Sequence, residues 1–535
     1  MQICFMNSML QKFPHLLIFL ITLALGLFFV SRNNVGTDLN LIPGDLGDSR
    51  FNVYVLEHGF KYFSGTQSEY WNAPFMVPEE EVISYSDNLL GVLPFYAIFR
   101  VLNYDPLTSF QLWFLSLVVL NFTACFFLIQ WLFKSPYAAA LGAFIFAFSL
   151  ALQSQMTHAQ TFGRFASPLA FLFLLMFTER WQLKYLFASF IAVALQLYCG
   201  IYLGLLLFIP FLTTFLLIIL NNKKVLLSRF KDKYFSFKVL GCFLVPFLVI
   251  LPLFIPYIKR SSNVPLAGYN GIVDTIPVFK SFLFSQHGTL FWEFLSETGT
   301  KIPAFWDHQI FPGIIALLSL LISFFIVKPL RIFKKGELSI EQNPLMLYLT
   351  FASLITFISF IRVDKFSLYW LIHYLPGFGS MRSMTRIINI ELLFFAIAVG
   401  FVFNWLVYKF KIKQLVLFIL FMPLLLLDNF CDRNHTYHIP KDATIERVDL
   451  LVNKMNQLKP GSLVSYEPDT IIGNPIEYQL DAMLASQQLN LKCVNAYSAT
   501  SPPPFTDFWN KLDSVSRVKW FSYKKFTPQN LTVIN

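Results

Sequence analysis

"LLIFLITLALGLFFV" (16–30) decides what kind of molecule this is. The run carries no charge, and with its flanks it approaches the roughly 20 residues that cross the hydrocarbon of a bilayer. "FFAIAVGFVFNWLVY" (394–408) repeats the signal near the other end of the 535-residue chain. Over the whole chain 56% of residues are hydrophobic, only 13% are charged, and 63 are Phe; the mean hydropathy is +0.57. A water-soluble chain of this size cannot hide so much apolar surface. Segments that span lipid must be helices or a closed barrel. Long apolar runs without two-residue alternation exclude the barrel. The fold class is therefore an α-helical polytopic membrane protein.

The net charge of +10 does not point to nucleic acid, because its distribution is that of membrane anchors. Lys and Arg gather in short loops: "NNKKVLLSRFKDKYFSFK" (221–238), "KPLRIFKKG" (328–336) and "KFKIK" (409–413). Such loops stay cytoplasmic. Eleven spans are expected at about 13–31, 107–133, 138–154, 165–179, 184–199, 201–220, 239–258, 311–328, 344–361, 387–408 and 414–429. "NLLGVLPFYAIFRVL" (88–102) is short, contains Pro94 and ends in Arg100. Were it to cross, every later basic loop would face outward, so it is read as an interfacial or re-entrant piece. The first span, with only Lys12 ahead of it and no small-residue cleavage site, reads as a retained anchor. The N-terminus is then cytoplasmic and the C-terminus outside, as in a multi-pass protein of a bacterial inner membrane.

That topology sends the polar stretches to one face. The expected division is a membrane domain over 1–429, with a first outer loop at 32–106, and a small extracytoplasmic α/β domain over 430–535. In the latter, "DATIERVDLLVNKMNQL" (442–458) and "NPIEYQLDAMLASQQL" (474–489) have helical spacing, while "SLVSYEP" (462–468) and "KCVNAYS" (492–498) read as strands. The six cysteines (4, 125, 199, 242, 431 and 493) show no ligand-like spacing and read as packing residues. Cys431 and Cys493 are the one pair an oxidising compartment would allow to join.

The first outer loop opens with "PGDLGDSRFNVYVLEHG" (43–59). Asp45 or Asp48 suits a helix N-cap. Arg50, Tyr54, Glu57 and Lys61 then share one face, as in an amphipathic helix lying on the bilayer with a solvated stripe. Capping explains one acid cheaply, but Asp38, Asp45 and Asp48 stand together where the first span emerges. Carboxylates so placed either bind a divalent cation or take a proton from an acceptor hydroxyl. Downstream, "YWNAPFMVPEEEVISYSDNLLG" (70–91) mixes aromatic and acidic groups, Tyr70, Trp71 and Asp87 among them. Such a mixture suits a sugar and equally an interfacial belt.

These features carry a family likeness. "GDLGDSRFNVYVLEHG" (44–59), "WNAPFMVPEEEVISYSDNLLG" (71–91), "HAQTFGRFASPLAF" (158–171) and "LPGFGSMRSMTR" (375–386), set among many spans, resemble a bacterial branch of the GT-C superfamily of membrane glycosyltransferases. The likeness covers about 13–430 and leaves the tail outside. It implies sugar transfer from a polyprenyl-phosphate donor to a glycan, lipid or protein acceptor on the outer face, with inversion. The carboxylate of the first loop that serves the family as catalytic base, metal ligand or both falls on Asp48, with Asp45 and Asp38 as alternates. Arg382 and Arg386, four residues apart after a Pro-Gly turn, match the family's basic partner of the donor phosphate, and Arg164 is a further candidate. His158, Asp307 and His308 join Tyr70, Trp71 and Asp87 as candidates for substrate contacts. This chain has Asp-x-x-Asp where many members have Asp-x-Asp or Glu-x-Asp, so a divalent metal (Mg or Mn) on Asp45 and Asp48 stays open. A transporter or flippase for lipid-linked glycans, and a polymer ligase, are the competing readings; nearly charge-free span centres count against transport.

Overall fold

The computed structural model describes residues 15–262, 264, 266–333 and 344–535. Cys4 and Lys12 lie outside them, as does part of the basic loop at 328–336. Among the described residues eight helices are long and apolar enough to cross a membrane: α1 (His15–Val35), α4 (Pro106–Phe133), α5 (Pro136–Ser154), α6 (Ala159–Arg180), α8 (Ile201–Asn221), α9 (Lys233–Ser261), α10 (Ile314–Ile332) and α12 (Met384–Phe410). Three shorter apolar helices, α7 (Leu183–Cys199), α11 (Pro344–Phe360) and α13 (Gln414–Asp428), stand at the remaining expected spans. Two more helices precede α4: α2 (Asp48–Phe63) and α3 (Leu93–Val101). The nine residues of α3 are too few to cross.

Local chemistry sets the helix starts. Asp105 Oδ1 accepts from the N–H groups of Leu107 and Thr108 at 2.9 and 3.0 Å, and Pro106 follows at the first helical position of α4. Ser135 and Pro136 start α5 the same way. In the most apolar 18-residue stretch of α5, 94% of the residues are buried, whereas in that of α9 only 22% are, so α9 turns most of its apolar surface outward. Pro246, Pro252 and Pro256 lie inside α9, as proline can in lipid where neighbours satisfy the freed carbonyls.

The tail forms α14 (Lys441–Met455) and α15 (Pro475–Gln488) and a parallel sheet of β3 (Leu463–Tyr466), β4 (Lys492–Cys493) and β5 (Leu531–Ile534), with β3 in the middle. It grips the first loop. Strand β1 (Leu41–Pro43) pairs antiparallel with β2 (His438–Pro440), with Ile42 opposite Ile439. Cys493 N–H donates to Pro74 O at 2.9 Å and Val77 N–H to Cys493 O at 3.1 Å. Buried side chains of the tail and of the first loop belong to one continuous apolar core.

This packing corrects the reading of α2. Its polar stripe is not solvated: Arg50 is fully buried on Asp481, Glu57 on Tyr96 and Arg100, and Lys61 meets Gln487 O and Asn490. The partners for Arg50 and Lys61 come from the tail, more than 400 residues away. Cys431 and Cys493 are both buried and free, so they do not pair.

Candidate active site

Polar groups from at least eight separate segments meet on a cavity of about 1330 Å³. The first segment is the turn into α2. Asp45 Oδ1 accepts from the N–H groups of Gly47 and Ser49 at 3.1 and 3.4 Å, an Asx turn that leaves Asp48 as the first residue of the helix. Its carboxylate sits at the positive end of α2. Tyr497 OH donates to Asp48 Oδ1 at 2.5 Å; His158 Nδ1 and Gln160 Nε2 donate to Oδ2, each at 3.1 Å. Asn52 Nδ2 donates to Gln160 Oε1 at 3.2 Å, which turns the amide hydrogens of Gln160 toward Asp48.

His158 stands between two acids, because its Nε2 lies 3.9 Å from Asp307 Oδ1. Arg386 Nη2 comes within 3.4 Å of His158 Nδ1, and its guanidinium lies over the Tyr202 ring, 5.0 Å from the centroid. Arg382 follows the turn at Gly377, whose φ of +87° suits only glycine. Its carbonyl is held by Thr275 Oγ1 at 2.8 Å, while among the described residues its guanidinium has no hydrogen bond or ion pair. Asp87 accepts from the N–H of Tyr202 at 3.2 Å, at the start of α8. Helix α9 adds apolar lining to the cavity: Phe247, Leu251, Phe254 and Ile258.

The two neighbouring acids differ sharply. Burial by itself would raise Asp48, but the hydrogen bond and charge of His158, the charge of Arg386 and the Tyr497 hydroxyl hold it well below the usual carboxylate range. Asp45 is pushed up to about 6, first by burial and then by the charge of Asp48, against the N–H groups of Ser49 and Gly47. Asp87 also rises to about 6, by burial. Two carboxyl groups whose environments drive their pKa values apart are suited to different tasks.

Of the residues expected from sequence, Asp45, Asp48, Asp87, His158, Asp307, Arg382 and Arg386 line the one cavity. The others do not. Asp38 is exposed and off the cavity wall. Arg164 is buried elsewhere, donating to Phe146 O at 3.1 Å and lying over that ring, so it meets no donor in this cavity. His308 bonds Ser281 and Asp274 O in the core, at 2.7 and 2.8 Å. Tyr70 is buried with its hydroxyl on Asn88 O, and Trp71 stacks edge-on against Tyr257 at 5.8 Å. A polar side chain at a span boundary serves packing as readily as chemistry, and only the three-dimensional neighbours separate the two. The donor set does not fit a metal on Asp45 and Asp48. Asp48's oxygens are taken by Tyr497, His158 and Gln160, and among the described residues no three His, Cys, Asp or Glu side chains converge as ligands would. Tyr497, Gln160 and Arg260 are cavity residues that sequence reasoning missed. Tyr497 sits in a stretch whose only local signal is that of a strand.

No protein-family model matches the chain, and no curated protein sequence does. Its fold is similar to solved structures of an oligosaccharyltransferase from Archaeoglobus fulgidus. One holds AglB in complex with an inhibitory peptide and a dolichol-phosphate, at 12% identity and a TM-score of 0.47, covering 91% of this chain and 65% of that one. The apo form gives 12%, 0.45, 91% and 65%; a complex with Zn and sulfate gives 12%, 0.44, 90% and 62%. The chain thus spans just under two thirds of the length of these neighbours.

Proposed function

We propose that this protein transfers a sugar from a lipid-phosphate-linked donor to an acceptor hydroxyl at the outer face of its membrane, with inversion at the anomeric carbon. The observation that carries the reading is the cavity itself. An ionised Asp48 stands beside two arginines that have no carboxylate partner, and apolar side chains of α9 line the same cavity. A lipid chain, a phosphate and a sugar need these three environments.

In the reaction the acceptor oxygen forms its bond to the anomeric carbon while the bond from that carbon to the phosphate oxygen breaks. The electron pair leaves on the lipid phosphate, whose charge Arg382 and Arg386 neutralise. The acceptor proton passes to a first-loop carboxylate. Asp45, raised to about 6, is the better matched base. Asp48, held ionised, places negative charge beside the oxocarbenium-like transition state. His158 keeps Asp48 in place. No acid is needed for the leaving group, since a phosphate departs unprotonated. The N-terminus is cytoplasmic and the unit formed by the first loop and the tail faces outward, as the basic loops require.

The test is to profile lipid-linked and surface glycans of a host lacking the gene, restored with wild type, Asp48→Asn or Asp45→Asn. Wild type returns a missing sugar; membrane-inserted Asp48→Asn does not. Full restoration by both variants, or an unchanged glycan profile on deletion, overturns the assignment.

A further inference from the structure

A second, smaller cavity of about 30 Å³ shares no lining residue with the large one. Five helices line it: α1 brings Ser31 and Asn34, α4 Asn121, α5 Phe148, α6 Arg164 and α12 Asn389. Its polar side chains are deeply buried, with Arg164 3% exposed and Asn34 and Asn389 fully covered.

Two needs are unmet there. A guanidinium carries five N–H groups. That of Arg164 donates from Nη2 to Phe146 O at 3.1 Å and from Nη1 to Asn389 Oδ1 at 3.4 Å, and it lies 5.0 Å from the Phe146 ring centroid. Each of those partners is neutral. Its buried Nε has no partner, and among the described residues no carboxylate comes within ion-pair distance of it. The second need is at Asn34, whose Nδ2 donates to Tyr437 O at 3.1 Å while its buried Oδ1 accepts from nothing among the described residues. A charge taken out of water is costly unless a counter-charge replaces the water, and an unmade hydrogen bond is costly too. A volume of this size admits about two particles as large as water. One anion answers the first need and one water the second.

We propose that this cavity is an internal site for a single halide ion, chloride or bromide, bonded by the free N–H groups of Arg164, with a water beside it that donates to Asn34 Oδ1. Sulfate and phosphate carry five heavy atoms and do not fit the volume. The ion neutralises Arg164 where several helices meet, and the site is tied to the large cavity through one residue. Asn389, which accepts from Arg164, donates through Nδ2 to Arg386 O at 3.1 Å. The backbone N–H of Arg164 is fixed separately, on Asn121 Oδ1 at 3.1 Å. The halide therefore stabilises the packing of α6 against α4 and α12, and takes no part in bond making.

The experiment records the melting temperature of the full-length protein in lipid nanodiscs, purified without halide, as sodium gluconate is replaced by sodium chloride or bromide at constant ionic strength. Wild type is expected to gain about 3 °C or more with either halide, because an ion that binds only the folded state stabilises it by mass action; gluconate is too large to enter. Arg164→Gln removes the charge that holds the ion. Asn34→Asp places a carboxylate in the cavity as a resident counter-ion. Each variant is expected to shift by less than about 1 °C between the salts. Crystals grown with bromide are expected to show its anomalous peak beside Arg164. A wild-type melt indifferent to halide means that water alone fills the cavity, and overturns the proposal. A halide shift as large as the wild-type one in either folded variant places the ion elsewhere and also overturns it, as does bromide density that avoids Arg164. Should Arg164→Gln fail to fold, Asn34→Asp and the bromide peak decide between the same outcomes.

Discussion

The hydroxyl of Tyr497 donates to Asp48 Oδ1 over 2.5 Å, joining residues 449 positions apart in the chain. Burial and the charge of Asp48 keep that phenol protonated far above neutral pH, so it stays a donor. The tail therefore takes part in the cavity rather than hanging beside it. Phe51 and Trp509 pack edge-on against the Tyr497 ring at 5.5 and 5.6 Å and hold it there.

Removing that hydroxyl tests the contact directly. A hydrogen bond to a charged group contributes about 1.5–3 kcal/mol, so Tyr497→Phe is expected to slow sugar transfer roughly ten- to a hundredfold. The ring keeps its packing, and the melting temperature should stay within about 2 °C of wild type. Transfer at the wild-type rate would show that Asp48 needs no help from the tail.

The pH dependence follows from Asp45. Its pKa is raised to about 6, and a base works only when deprotonated, so activity should fall about tenfold per pH unit below 6 and level off above it. Asp48 is ionised throughout that window and adds no step there. Asp45→Asn is expected to abolish the acid limb along with most of the rate. A limb that persists in this variant would assign it to another group, and Asp87, also near 6, is the first to examine.

Docking of the tail rests on a buried charge network. Asp481 bonds both Arg50 of α2 and Arg447 of α14, and it is almost fully buried. Asp481→Asn leaves Arg50 without its counter-charge, which costs about 3–5 kcal/mol; a clear drop in melting temperature and faster proteolysis beyond residue 430 are expected. The double variant Arg50→Met/Asp481→Leu should recover most of that loss, since a packed apolar pair replaces a buried ion pair at little cost. A single variant as stable as wild type would mean that the tail is held by its apolar core alone.

Thiol chemistry checks the tail's packing from another side. Burial pushes both Cys431 and Cys493 up to about 12, and thiols of that kind are unreactive. Maleimide is expected to label neither in the native protein and both after denaturation, and reductant should leave the melting temperature unchanged. A reductant-sensitive melt would reveal a disulfide.

Much of the architecture is legible in the chain because lipid imposes it. A run such as 394–408 has one stable solution in a bilayer, so each expected span corresponds to an apolar helix. The tail's alternating patterns were likewise enough to locate α14, β3, α15 and β4 within a few residues. The polar stretch at 43–59 was harder. The same spacing of Arg50, Tyr54, Glu57 and Lys61 describes a helix wetted by solvent and one buried against another surface. Nothing local separates them.

Hydrophobic run length, the placement of Lys and Arg, and cap residues such as Asp105 and Ser135 are short-range signals, and from them the sequence alone determined a chain of long apolar helices with acids just past the end of the first. Which acid is held ionised, which arginines face the cavity and which residue steadies Asp48 were decided only by the tertiary structure. Desolvation and charge depend on neighbours brought from α6, α9, α12 and the tail, and Arg164, near-identical in local promise to Arg386, ended in the core for that reason.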